Sequence, residues 1–277
     1  MKLALLQLTS SDDPSENLEH LKGLINAAVE AGADMALTPE VTNCVSLSRS
    51  RQQAVLQKEE EDETLKSVRA LAKSHRIWIS LGSLALKTDR EDGRFANRSF
   101  LIDRDGDICG RYDKIHMFDV DVSATETFRE SDGYAPGTRA VLAETKLARI
   151  GMTICYDLRF PHLYRALAQS GAEVLLVPSA FSPVTGEAHW ETLLKARAIE
   201  TGCFVVAAAQ TGTHPTSSGN ARQTYGHSLV VDPWGQVIVD AGTKPGMTLV
   251  EIDLMEVSEA RRRIPSMQYE QPFEGPK

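Results

Sequence analysis

Three side chains in this sequence have the types that covalent thiol chemistry needs. Cys155 offers a nucleophile, Glu40 a general base able to take its proton, and Lys114 a cation that stabilises first a thiolate and then an oxyanion. The backbone N–H of Tyr156, next after the nucleophile, is a candidate oxyanion donor. Each also has a plain alternative: a small buried hydrophobe for Cys155, a solvated strand-end acid for Glu40 and a surface charge for Lys114. The three lie far apart along the chain, so only the fold can bring them together.

The elements around them are legible. Ile150, Met152, Thr153 and Ile154 suit a buried strand, and Pro161 followed by Leu163, Ala166 and Leu167 suits a helix start. Cys155 therefore falls at a strand–helix turn, at the carboxyl end of a strand, where open α/β sheets collect their reactive groups. At such a turn, backbone N–H groups and a nearby cation are expected to lower the thiol's pKa. Met35–Thr38 reads as a short buried strand that delivers Pro39-Glu40 at its end. Upstream, residues 2–8 read as a strand. Asp13-Pro14-Ser15-Glu16 supplies an N-cap, a proline at the first helical position and an early acid, and Gly32 a helix stop.

Leu65, Val68, Leu71 and Ala72 mark a second helix, 77–86 a strand, and residues 100–111 a hairpin turning at Asp105-Gly106. Residues 113–137 read as one long ordered loop of the kind that is usually functional. Beyond Cys155 the pattern gives a helix at 161–170, a strand at 174–177, a helix at 189–201 and a strand at 203–209. A hairpin of 225–231 with 236–240 follows, then a strand at 247–254 and a charged tail from Glu256 packed outside the core. Trp190 and Trp234 fit a core or an interface, and Arg261-Arg262-Arg263 a solvated face.

One segment echoes another. Ala31-Gly32-Ala33-Asp34-Met35-Ala36-Leu37-Thr38-Pro39 matches Ser170-Gly171-Ala172-Glu173-Val174-Leu175-Leu176-Val177-Pro178 in pattern: a helix end, a glycine, an acid, a short strand and a proline. With no Pro/Gly/Ser-rich linker, this predicts one α/β domain built from two similar halves. Its expected extent is residues 1–265, with a tail at 266–277.

Composition excludes several classes. The net charge of −8 argues against a nucleic-acid partner. No apolar run approaches the roughly 20 residues of a membrane span, and the opening residues alternate like a strand rather than a secretion signal. Cys44, Cys109, Cys155 and Cys203 are widely spaced, which indicates neither a zinc site nor a disulfide framework and fits a reducing cytoplasm.

Three segments carry a family resemblance: Leu37-Thr38-Pro39-Glu40, Arg111-Tyr112-Asp113-Lys114-Ile115-His116, and Gly151-Met152-Thr153-Ile154-Cys155-Tyr156-Asp157-Leu158-Arg159-Phe160-Pro161. In this order they resemble the signatures of the nitrilase superfamily of carbon–nitrogen hydrolases, and the likeness runs from Lys2 to about Pro265. The resemblance implies a four-layer α-β-β-α sandwich, dimers or larger homo-oligomers, no metal and no organic cofactor. It implies Glu40 as general base, Lys114 as oxyanion-stabilising cation and Cys155 as nucleophile. It also implies a second glutamate that positions substrate and lysine, and Phe128-Arg129-Glu130-Ser131 points to Glu130.

Cys-Tyr-Asp-Leu-Arg is similar to the amidase side of the superfamily, nearest the deaminated-glutathione amidase and ω-amidase branches. These imply a small amide substrate with a carboxylate end, hydrolysed to acid and ammonia. Arg159 is similar to the arginine that pairs with that carboxylate, Thr185 to an assisting hydroxyl, and Phe181 falls beside them. The competing role for Arg159 is a structural ion pair with Asp157 or Glu173. His162 departs from the glutamate usual in these branches and reads as a helix-surface residue. The other functions open to the sequence are N-carbamoyl-amino-acid hydrolysis, a binding subunit that keeps the fold, and a thiol-redox role for Cys155, which lacks a nearby resolving cysteine.

Overall fold

Alternation in the first strand sets what its sheet separates. In β1 (Lys2–Gln7), Leu3 and Leu5 enter one apolar cluster, while Ala4 and Leu6 enter another. The computed structural model describes residues 1–122, 127–269 and 271–276. From β1 the chain runs through α1 (Pro14–Glu30), β2 (Met35–Leu37), α2 (Arg49–Val55), α3 (Glu63–His75), β3 (Trp78–Leu86), β4 (Ala96–Ile102) and β5 (Ile108–Asp113). Two short antiparallel strands, β6 (Asp119–Asp121) and β7 (Thr127–Arg129), precede β8 (Val141–Glu144), β9 (Arg149–Met152) and α4 (Pro161–Gln169). Next come β10 (Val174–Leu176), α5 (Pro183–Thr201), β11 (Phe204–Ala207), and a second antiparallel pair, β12 (Thr211–Thr213) with β13 (Gln223–Tyr225). The last elements are β14 (Leu229–Val231), β15 (Val237–Asp240), β16 (Gly246–Glu251) and α6 (Met255–Arg263).

Two six-stranded sheets result, in the orders β16-β1-β2-β3-β4-β5 and β8-β9-β10-β11-β14-β15. Their strand arrangement is the same: three parallel strands in succession, an antiparallel strand against the first, and an antiparallel pair beyond the third. Leu3, Leu5 and Leu37 of one sheet share a core with Ile150 and Met152 of the other. Ala4, Leu6 and Ala36 face Leu21 and Ile25 of α1 and Leu65 and Val68 of α3. Helices α4 and α5 add Leu163, Leu167, Trp190 and Leu194 to the second sheet's core. This is the expected four-layer α-β-β-α sandwich with two similar halves.

The sequence echo is realised as a repeated hydrogen-bond set. The Asp34 carboxylate accepts from Lys2 N–H (2.9 Å), and the Glu173 carboxylate from Arg149 N–H (2.8 Å). Each acid's own N–H donates to the carbonyl of that same strand residue, at 2.8 Å in both halves. Gly32 and Gly171 supply the positive φ, 72° and 98°, that turns helix into strand.

Several expectations are corrected. Residues 113–137 are not a single loop: β6, β7 and a 3₁₀ turn at Glu130–Asp132 lie within them. Helix α5 begins at Pro183 rather than at residue 189, with Pro183 seeding the first turn. The strand expected over 225–231 is broken at Gly226 and His227, both at positive φ. Helix α2 and strand β8 are additional, since their short, mixed sequences carry little periodicity. The tail from Glu256 forms α6, which buries Val257 and Ala260. Arg261 is not a solvated charge: it donates to the carbonyls of Thr201 (3.1 Å) and Ala172 (2.6 Å). Arg263 lies 3.8 Å over the half-exposed Trp234, whereas Trp190 is buried. Among the described residues no helix is long and apolar enough to cross a membrane.

The halves meet tightly at Gly82 of β3. A Cβ there would sit 1.9 Å from the Thr38 carbonyl oxygen, 2.5 Å from that of Pro39 and 2.6 Å from the Pro178 ring. Backbone, not flexible side chain, blocks it. Gly82→Ala is expected to destabilise the protein by about 1–3 kcal/mol in chemical denaturation. It should also cut turnover roughly 100-fold by displacing Glu40; wild-type turnover in a folded variant would contradict this packing.

Candidate active site

Strand ends place the reactive groups. Glu40 follows β2, Lys114 follows β5 and Cys155 follows β9, and the strand order brings these three ends to one edge of the paired sheets. Two backbones there are strained: Val41, next to Glu40, has φ 47° and Cys155 itself has φ 49°. Cys155 begins a 3₁₀ turn (Cys155–Arg159), and its N–H donates to the Pro178 carbonyl at 3.0 Å.

A buried carboxylate locks this turn. Asp157 accepts from Ile154 N–H (2.9 Å) and Tyr112 O–H (2.6 Å) through one oxygen, and its other oxygen accepts from His116 N–H (3.0 Å) and lies 2.7 Å from His116 Nδ1. Tyr112 and His116 flank Lys114, so Asp157 ties the lysine segment to the cysteine turn.

The charged groups converge as expected. Lys114 Nζ donates to Glu40 Oε1 at 2.8 Å and to both oxygens of Glu130 at 2.9 and 2.8 Å. Asn97 Nδ2, from β4, donates to Glu40 (2.9 Å) and Glu130 (3.3 Å). Backbone N–H groups complete the carboxylates, Ala180 to Glu40 Oε2 (2.9 Å) and Phe118 to Glu130 Oε2 (2.7 Å). Glu40 and Lys114 are only 3% and 2% exposed, so neither is a surface charge. Cys155 lines the same cavity as Glu40 and Lys114, close enough for both charges to act on its thiol.

The electrostatics follow from this packing. Burial opposes the charge on Glu40, but Lys114 and then Arg222 outweigh it and hold the carboxyl below its ordinary value. Burial likewise opposes the charge on Lys114, and Glu130 and Glu40 together raise it well above the ordinary lysine value. For Cys155, burial first and the Glu40 charge second push the thiol up, and Lys114 offsets only part of that. The expected lowering of this pKa is therefore overturned. Burial and the Glu40 charge thus favour the neutral thiol, and Lys114 favours the ionised Glu40.

These groups line a cavity of about 460 Å³. Over residues 2–262 the chain matches the carbon–nitrogen hydrolase family. The chain belongs to the carbon–nitrogen hydrolase family. It is 39% identical over 269 residues to the deaminated glutathione amidase of Yersinia enterocolitica, covering 96% of this chain and 92% of that one. The crystal structure of the Caenorhabditis elegans NitFhit protein superposes with a TM-score of 0.88 at 38% identity, covering 98% of this chain and 65% of that longer fusion. An amidase from Nesterenkonia sp. AN1, solved with acrylamide added to its active-site cysteine, gives 0.76 at 26% identity, covering 97% of this chain and all of that one. This carbon–nitrogen hydrolase is thus an amidase of the nitrilase superfamily, acting on bonds other than peptide bonds.

Other expected site residues are placed unevenly in the hydrolase. Tyr156, Phe181 and Thr185 line the cavity. Phe181 is fixed against Trp190, with ring centroids 4.8 Å apart, and Thr185 lies in the first turn of α5. Among the described residues the wall does not include Arg159, which sits at the rim, 5.5 Å from the Phe181 ring and 5.8 Å from that of Tyr156. Its guanidinium meets His189 Nδ1 at 3.3 Å and pairs with neither Asp157 nor Glu173. His162 is exposed, as expected, and packs edge-on to His116.

Sequence reasoning missed Asn97 and Arg222. The only sign of Asn97 is a polar residue at a buried strand position. Arg222 falls in an aperiodic Ser/Thr/Gly-rich segment that gives no signal.

Two outcomes test this arrangement. If Glu40 is the base, activity needs it ionised, so removing a donor raises its pKa and moves the loss of activity to higher pH. Asn97→Ala should shift the acidic limb of kcat/KM upward and, by leaving two carboxylates short of a donor, cost about 1–3 kcal/mol in denaturation; an unshifted limb would count against the bridge. Lys114→Met leaves two facing carboxylates and should cost about 3–5 kcal/mol in denaturation, most of it regained when Glu40 and Glu130 are also changed to Gln.

Proposed function

We propose that this amidase works through a thioester on Cys155, with Glu40 as general base, Lys114 as the cation facing the developing oxyanion and Glu130 fixing Lys114. The single observation that supports it most is a buried Lys114 ammonium shared by two carboxylates in the wall of the cavity that Cys155 also lines. As Cys155 Sγ bonds to the amide carbon, its proton passes to Glu40. The Lys114 ammonium and the Tyr156 backbone N–H stabilise the oxyanion. Glu40 then gives that proton to the departing nitrogen, and the C–N bond breaks. Water next attacks the thioester, with its proton taken by Glu40 and returned to the sulfur. Acid and amine leave, and the enzyme is restored.

The substrate class is a small amide with a carboxylate on its acyl side, read at the rim by Arg159, whose planar fork suits a carboxylate. Phe181 and Tyr156 cover its apolar part and Thr185 assists. The relatives named for deaminated glutathione support this class. Such a substrate releases a peptide amine from a substituted amide, whereas a primary amide such as α-ketoglutaramate releases ammonia. The leaving group therefore need not be ammonia.

The test follows both products. Cys155→Ala should lose turnover by at least about four orders of magnitude, the scale of losing a covalent nucleophile, while keeping its melting temperature. Wild-type protein mixed with substrate and quenched should carry the acyl mass on Cys155. Undiminished product release by Cys155→Ala would end the mechanism. Carbon dioxide appearing with ammonia would reassign the substrate to carbamoyl amino acids.

A further inference from the structure

The cavity wall holds two arginines, Arg49 and Arg222, with no carboxylate ion pair among the described residues, although acids outnumber Lys and Arg 38 to 30 in this chain. Arg49 lies 3.7 Å over the Phe95 ring and donates only to carbonyls, those of Gly133 (2.7 Å) and Gly93 (2.9 Å). Arg222 donates one N–H to the Ala180 carbonyl at 2.7 Å, and the rest of its fork has no other hydrogen-bond partner among the described residues. Within the electrostatic reach of both lies the half-buried Tyr134, also in the wall.

That phenol has one hydrogen to give. Gln52 Nε2 donates to Tyr134 Oη at 3.1 Å, and the same amide nitrogen donates to the Ser46 carbonyl at 3.1 Å. A carbonyl can only accept, so the Gln52 nitrogen must face this way and the Tyr134 oxygen is the acceptor. Its own O–H proton has no acceptor among the described residues. A guanidinium fork, an unused phenol proton and a second cation behind them form a wall built for an anion.

The position says which part of the substrate the anion belongs to. Arg222 is bonded to the carbonyl of Ala180, whose N–H holds Glu40. Under the mechanism proposed above, Glu40 delivers the proton to the leaving nitrogen. Arg159, at the rim by Tyr156 and Phe181, takes the acyl-side carboxylate in that reading. The geometry points to Arg222 and Tyr134 as a second carboxylate subsite, reading an acid on the leaving-amine side. The substrate class then narrows to linear amides with carboxylates at both ends. This rests on the substrate reading given under the proposed function.

The experiment compares deaminated glutathione with the same compound whose glycine carboxylate is a neutral carboxamide. Wild-type enzyme should prefer the acid in kcat/KM by roughly 10- to 100-fold, the range for charge-assisted hydrogen bonds. Arg222→Gln should abolish that preference, and Tyr134→Phe should shrink it several-fold. The ratio is read within each variant, so a general loss of activity from perturbing Glu40 cancels. A preference that survives in Arg222→Gln, or a wild type that cleaves both equally well, would overturn the subsite while leaving the amidase mechanism in place. Cleavage of neither compound by wild type, with other amides turned over, would instead remove the substrate class and the subsite with it.

Discussion

A single ammonium, buried between two carboxylates, is the constraint that organises this protein. Lys114, Glu40 and Glu130 have side chains that are 2%, 4% and 14% exposed, and taking such charges out of water is costly unless each is paired and hydrogen-bonded. The fold meets that demand closely. Lys114 spans both acids, Asn97 bridges them, and the N–H groups of Ala180 and Phe118 fill the remaining lone pairs. Five separate segments must therefore be held in register, and each is fixed by the end of a strand or by the packing of one.

The paired sheets show how that register is kept. The chain up to β7 supplies Glu40, Lys114 and, just after that strand, Glu130, while the second half supplies the Cys155 thiol and the backbone of Ala180. Thr38-Pro39 and Pro178 close on Gly82 at the seam, leaving no room for a methyl group between them. Asp157 extends the same control, because it binds residues on either side of Lys114 while capping the turn that carries Cys155. A displacement of either half would break the charge set and the turn together.

Much of this was readable from the residues. The helix cap at Asp13, the hairpin at Asp105-Gly106, the strand ends at Glu40 and Cys155, and the echo between residues 31–39 and 170–178 all rest on local chemistry: caps, turns and alternation. Tertiary placement was less legible. Asn97 looks like any polar strand residue until two carboxylates are found beside it. Arg222 lies where no period exists, and Arg261 belongs to a charge run that looks solvated yet ends on buried carbonyls. The thiol's pKa was misjudged for the same reason. A cation near Cys155 could be foreseen, but the ionised Glu40 and the depth of burial that outweigh it are properties of the assembled site.

That reversal bears on how the site can work. A thiolate formed in advance would add a further negative charge to a cavity where Lys114 already faces two carboxylates, and burial penalises it further. Under the mechanism proposed above, a neutral thiol facing Glu40 avoids that state. The negative charge then appears only when sulfur bonds to carbon and the proton moves, and it appears on the substrate oxygen, where Lys114 can oppose it. Proton transfer and bond formation are thereby coupled by electrostatics, and a bound amide whose carbonyl is aimed at Lys114 is what lowers the barrier. Under that mechanism, the buried charge set is both a costly part of the fold to assemble and the reason the sulfur would react only with a correctly placed substrate.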